Sequence, residues 1–150
     1  MKSYSLTFIG TILIILNLGI FSYYEIKLNS QTLLKAENHG VYADFKKNGE
    51  YIIQSGSWAS KEHFYGKYSI EDSLIKVDRK KFDDVLVTDK FVIRKIINVF
   101  GEDDKGKIRN YIIELDQNGK EIKNRLVDFD KSNNKIYDSF KFEIIEDNRK

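Results

Sequence analysis

The sequence predicts an all-β protein carried behind an N-terminal transmembrane helix, the β part being an antiparallel β-meander or barrel of about eight strands. Three observations lead there. Leu6 to Tyr24 (LTFIGTILIILNLGIFSYY) contains no charged residue. From Val41 onward the apolar period falls to two, Tyr, Phe, Ile and Val dominate, and turn residues recur every eight to twelve positions or so. Asn48-Gly49 and Asn118-Gly119 each separate two such runs, the arrangement of a β-hairpin.

The apolar stretch comes first. At ~1.5 Å per residue it is long enough to cross the ~30 Å hydrocarbon core of a bilayer as a helix. Cysteine is absent, so no lipidated cysteine, disulfide, thiolate metal site or cysteine nucleophile exists. Gly19-Ile20-Phe21-Ser22-Tyr23-Tyr24 offers bulky aromatics where a signal peptidase needs small residues. The stretch therefore reads as an uncleaved anchor, with secretion after signal cleavage as the alternative. Tyr23 and Tyr24 suit the membrane–water boundary. Lys2 and the α-amino group are nearly balanced by Lys27 and Lys35 on the far side, and a short N-terminal tail before a long C-terminal domain places that domain outside the cytoplasm.

Glu25 to Asn38 (EIKLNSQTLLKAEN) mixes good helix formers with polar residues and runs to His39-Gly40, where glycine permits a helix cap. The expected organisation is residues 1–28 as anchor and flanks, 29–40 as a short helical linker and 41–150 as the antiparallel β domain. In the first Asn-Gly hairpin a two-residue turn sets Phe45 against Ile52 and Lys47 against Glu50. In the second it sets Leu115 against Ile122, Tyr111 against Leu126 and Glu114 against Lys123, pairs worth a few tenths of a kcal/mol each. Between them Phe64 to Ile70, a turn at Glu71-Asp72-Ser73, and Leu74 to Val77 form another pair. Val85-Leu86-Val87 with Phe91 to Ile96 form the next, and Ile136 to Ile144 reads as a last strand. Gly101 to Lys107 is the longest polar loop.

Composition narrows the function classes. Lys+Arg 25 against Asp+Glu 23 gives a net charge of +2, which supplies no basic face for nucleic acid. The run Asp78-Arg79-Lys80-Lys81 is too short to reverse that and reads as a solvated turn. Glycine-rich phosphate loops are missing.

Phe45-x-x-Asn48-Gly49-x-Tyr51, Gly56-Ser57-Trp58 and Tyr65-Gly66-Lys67-Tyr68-Ser69-Ile70-x-x-x-Leu74-Ile75-x-Val77 carry a family likeness. This stretch, residues 45–77, resembles small bacterial lipocalin-like and related β-meander domains. It departs from them in that Gly-x-Trp normally opens the first strand, whereas Trp58 falls later. The resemblance implies a sheet folded around a core or small cavity, and transfers no catalytic residue.

Trp58, the single tryptophan, lies near Phe64, Tyr65 and Tyr68 in sequence, and with Phe91 these form the candidate ligand or contact surface. The plainer reading of Trp58 is a core plug at one end of the sheet. His39 and His63 lack converging ligands and read as surface residues. Glu102-Asp103-Asp104 and Asp128-x-Asp130 do not match a calcium loop. Ser57 and Ser60 lack a nucleophile elbow and a base. No catalytic residue, metal or cofactor is assigned. The expected function is a membrane-anchored, non-enzymatic binding or interaction module, meeting an envelope protein or surface polymer. The alternatives are a lipocalin-like carrier of a small apolar ligand lined by Trp58, Tyr68 and Phe91, and an immunity or inhibitor protein acting through Gly101 to Lys107.

Overall fold

The computed structural model describes residues 3–56, 61–79, 82, 86–97, 105–129 and 133–149. The chain divides into two units, Met1–Gln31 and Thr32–Lys150.

In the first unit, α1 (Ser3–Leu28) takes in the whole apolar stretch. Asn17, the one amide inside that stretch, donates from Nδ2 to the Leu13 carbonyl at 2.8 Å, so the helix itself satisfies part of its polarity. The helix is apolar on every side, and each large hydrophobic side chain described in it, from Phe8 (68% exposed) to Ile26 (75%), is exposed. Among the described residues no helix is long and apolar enough to cross a membrane. The transmembrane helix expected over Leu6 to Tyr24 is to that extent unsupported.

The described residues of the second unit form ten strands: β1 (Thr32–Asn38), β2 (Val41–Lys46), β3 (Glu50–Ser55), β4 (Glu62–Glu71), β5 (Leu74–Val77), β6 (Lys90–Ile97), β7 (Ile108–Leu115), β8 (Lys123–Phe129), β9 (Lys135–Ser139) and β10 (Lys141–Asp147). Eight of them close into an antiparallel barrel in the order β1-β10-β7-β6-β5-β4-β3-β2, with β2 returning to β1. Strands β8 and β9 form a separate two-stranded sheet inserted between β7 and β10. Without that insertion the barrel is a simple meander whose first and last strands pair, and closure removes the exposed edges of the sheet.

The alternation builds the core. Val41, Ala43 and Phe45 of β2, Tyr51 and Ile53 of β3, Ile75 and Val77 of β5, and Ile112 of β7 join one buried cluster. Its rings meet edge to face: Phe45 and Tyr68 at 5.0 Å, Phe64 and Phe82 at 5.6 Å. Such pairs add roughly 0.5–1.5 kcal/mol each beyond the area they bury.

The structure corrects six of the sequence expectations. The helical linker expected over residues 29–40 is mostly strand β1. Its Leu34 and Ala36 alternate into the core between β2 and β10, and that packing overrides the helix propensity of Leu-Leu-Lys-Ala-Glu. His39 and Gly40, with φ of 42° and 90°, form a two-residue hairpin turn between Asn38 and Val41 rather than a helix cap.

Both Asn-Gly hairpins form, but each register is one residue away from the expected one. Phe45 faces Tyr51, and Leu115 bridges Glu121. Only the glycines, Gly49 at +82° and Gly119 at +77°, have positive φ. The Gly49 N–H bonds the Lys46 carbonyl and the Gly119 N–H that of Asp116, each at 3.1 Å. These are three-residue loops with glycine in the left-handed position, not two-residue turns in which asparagine must also adopt it.

The second hairpin is also short-lived. After Ile122 the chain leaves β7, and β8 pairs with β9, setting Leu126 opposite Tyr137 rather than Tyr111. The strand expected from Val85 to Val87 is reduced to a bridge between Phe82 and Leu86, Val85 lying outside the described residues. The last expected strand, Ile136 to Ile144, breaks at Phe140, its two halves serving different sheets.

Candidate functional site

Of the five residues expected to form one surface, the four described ones are distributed over both faces of the barrel wall. Phe64 and Phe91 are buried in the core, and Tyr68 packs on Phe45 while its hydroxyl donates to the Lys46 carbonyl at 2.6 Å. Tyr65 alternates to the outer face, is exposed, and lies beside His63. Trp58, with Ser57 and Ser60, lies outside the described residues. His39 and His63 are exposed, the latter hydrogen-bonded through Nε2 to Gln54 Oε1 across β3 and β4 at 3.2 Å. Residues 101–104 and Asp130 lie outside the described residues as well, and nothing is placed for the side chain of Asp128.

What the barrel closure does assemble is a polar cleft of about 370 Å³ lined by Glu37, Asn38, His39, Tyr111, Arg125, Lys141 and Glu143. Register explains the collection. Glu37 on β1 faces Glu143 on β10, and Glu143 faces Tyr111 on β7, a row across three adjacent strands. Each alternates with an inward neighbour, Ala36, Phe142 and Ile112 respectively, so the row belongs to the outer wall. Arg125 comes from β8 of the inserted hairpin.

The cleft's charges are unevenly paired. Arg109 donates from NH1 to Glu143 Oε1, and Lys141 donates from Nζ to Asp138 Oδ2. Burial alone pushes the Asp138 carboxyl up, but the Lys141 ammonium and the Ser139 N–H outweigh it and hold the group below its ordinary value. The Asn38 amide donates to the Lys141 carbonyl. Glu37, His39, Tyr111 and Arg125 have no hydrogen-bond or ion-pair partner among the described residues. A second cleft, of about 580 Å³ beside Leu33, Ile70 and Arg149, is less poised, because Asp147 already holds Arg149 through two hydrogen bonds.

One further titratable group is conspicuous inside the wall. Glu114 is fully buried on the same inward face as Ile112, opposite Phe91. Its Oε1 accepts the Val87 N–H at 2.8 Å, while Oε2 has no partner. Burial pushes its pKa up, opposed by the backbone N–H groups of Val87 and Thr88. A carboxyl raised in the folded state stabilises the fold fully below its unfolded pKa and loses that contribution as pH rises toward the folded pKa. Glu114→Gln keeps an acceptor for Val87 and removes the charge. The variant is expected to gain about 1–2 kcal/mol over wild type at pH 8, with little difference at pH 4, by urea unfolding across that range. Parallel pH profiles for the two proteins would remove Glu114 as the source of the slope.

Sequence reading placed Glu114 outward and overlooked the cleft. The sign of the first error is in Ile112-Ile113: consecutive apolar residues mark a strand buried on both faces, which leaves no solvent side for the next residue. The fold and its cleft define a closed eight-stranded antiparallel barrel with a polar recess on its outer wall. Compared with protein-family models, curated proteins and solved structures, the chain matches none.

Proposed function

We propose that this is a membrane-tethered, non-enzymatic binding module whose β domain lies outside the cytoplasm and recognises its partner through the outer wall of the barrel. The observation that carries the tether is the helix apolar on every side with its described large side chains exposed. A soluble surface helix keeps one polar face, whereas a helix apolar all round belongs in a protein core or in lipid. The helical backbone of α1 has 26 residues, about 39 Å at 1.5 Å per residue, which exceeds the hydrocarbon thickness. Leu6 to Tyr24 carries no charged residue along that helix.

The outer wall is favoured over the interior because Phe45, Tyr51, Phe82 and Phe91 occupy the described core. A carrier of apolar ligands needs that space. The polar cleft offers charged side chains without partners instead. Flotation with phosphatidylcholine and phosphatidylglycerol vesicles tests the tether. The full chain is expected to float and to resist carbonate extraction, and a variant lacking residues 1–28 to remain in the dense fraction. A full chain that stays dense overturns the tether, and a domain protected from protease added to intact cells overturns the placement.

A further inference from the structure

We infer that the outer-wall cleft is a receptor for a small zwitterion, a ligand presenting an ammonium and a carboxylate on one short backbone, as a free amino acid or dipeptide does. The inference rests on reading the domain as a binding module, and not on where α1 holds it.

The negative pole is built by register. Glu37 and Glu143 stand directly opposite each other on β1 and β10, where like charges oppose folding. Arg109 pairs with Glu143, and the Glu37 side chain has no partner among the described residues. Tyr111, next in the row, adds an aromatic ring, whose face also attracts cations.

The positive pole is Arg125. Arg125 lines the same cleft and its side chain has no partner among the described residues, while neighbouring Lys141 is drawn to Asp138. Glu37 and Arg125 share a recess without forming an ion pair. A lone cation satisfies Glu37 and is opposed by Arg125, and a lone anion meets the reverse. A ligand carrying both charges satisfies both at once, and charge-assisted hydrogen bonds at each end fix its direction. The volume of about 370 Å³ lies at the small end of ligand sites, too small for a folded protein surface and adequate for one or two residues.

Calorimetric titration of the full chain in detergent micelles with dialanine tests this. The expected result is saturable binding that weakens at least about tenfold when the amine is acetylated or the carboxylate amidated, the loss of one charge-assisted hydrogen bond. Glu37→Gln is expected to weaken dialanine and to leave the acetylated peptide unchanged. Arg125→Gln is expected to weaken dialanine and to leave the amidated peptide unchanged. Glu37 lies on the outer wall and Arg125 on the inserted β8–β9 hairpin, and an unchanged thermal midpoint verifies folding. Equal binding of blocked and unblocked peptides, or no heat at about 10 mM, overturns the inference. Vesicle flotation of the same preparation reads the tether separately, so a chain that floats and ignores dialanine rejects the ligand class alone.

Discussion

Phe82→Ala is expected to lower the unfolding free energy by about 3–5 kcal/mol, the range for a large aromatic removed from a packed core. In the connection from β5 to β6 the described Phe82 and Leu86 turn their side chains inward. Phe82 and Leu86 exchange backbone hydrogen bonds, 3.0 Å from the Phe82 N–H and 3.3 Å from that of Leu86, and both side chains are fully buried. The Phe82 ring stands perpendicular to Phe64 at 5.6 Å and nearly so to Tyr51 at 6.0 Å. The Arg79 guanidinium lies 4.7 Å from the Phe64 centroid, holding the approach to this turn. Removing the ring takes contacts from β3 and β4 at once and leaves an apolar void that these strands, fixed in the barrel, cannot close. Urea unfolding followed by near-ultraviolet circular dichroism measures the loss. The same variant separates two views of the interior, since an engineered apolar void accepts benzene. Benzene should raise the thermal midpoint of Phe82→Ala and leave wild type unmoved. A loss below about 1.5 kcal/mol, or equal benzene shifts in both proteins, shows that this ring does not seal the barrel.

Local chemistry was legible in the sequence, and distant closure was not. Both Asn-Gly hairpins and the Leu74 to Val77 strand follow from turn residues and alternation within a dozen positions. Their registers slipped by one because Asn-Gly is compatible with two- and three-residue loops, and the choice is a single asparagine φ. Strand β1 was misread because its helix formers become a strand only when β10, the far end of the chain, lies beside it. The cleft shares that origin. Glu37 and Glu143 are more than a hundred residues apart, and only the pairing of the first barrel strand with the last sets them face to face. Phe140 marks where the alternation of one apparent strand is divided between two sheets, which no periodicity reveals. Asp78, read as part of a solvated turn, turns out to accept the Tyr51 hydroxyl.

Gly66→Ala should then be destabilising by about 2–3 kcal/mol, although in most strands alanine is the better residue by roughly 0.5–1 kcal/mol. The reversal comes from what crosses the glycine. Gly66 on β4 faces Tyr51 on β3, and an added Cβ would lie 2.6 Å from the Tyr51 hydroxyl oxygen and 2.8 Å from its Cε1, closer still to Asp78 Oδ1. None of these atoms can yield freely. Tyr51 is 1% exposed and packed against Phe45 and Phe82. Its hydroxyl donates to Asp78 Oδ1 at 3.1 Å, and burial, then the Asp78 charge, push its pKa up, so it remains a donor. Asp78 is held in turn by the Lys67 N–H on Oδ2 at 2.8 Å and by its own N–H to the Lys67 carbonyl at 3.0 Å. The methyl must therefore break the Tyr51–Asp78 hydrogen bond and displace a ring in a filled core, overpacking at about 1–3 kcal/mol plus roughly 1 kcal/mol for the bond. Tyr51→Phe alone loses only the bond and should cost about 1 kcal/mol. In the double variant the methyl enters space the hydroxyl has left, so the combined loss should fall at least about 0.5 kcal/mol short of the sum of the singles. Urea denaturation of the four proteins closes this cycle. Strict additivity, or a Gly66→Ala protein as stable as wild type, would mean that the ring and its carboxylate do not rest on the glycine.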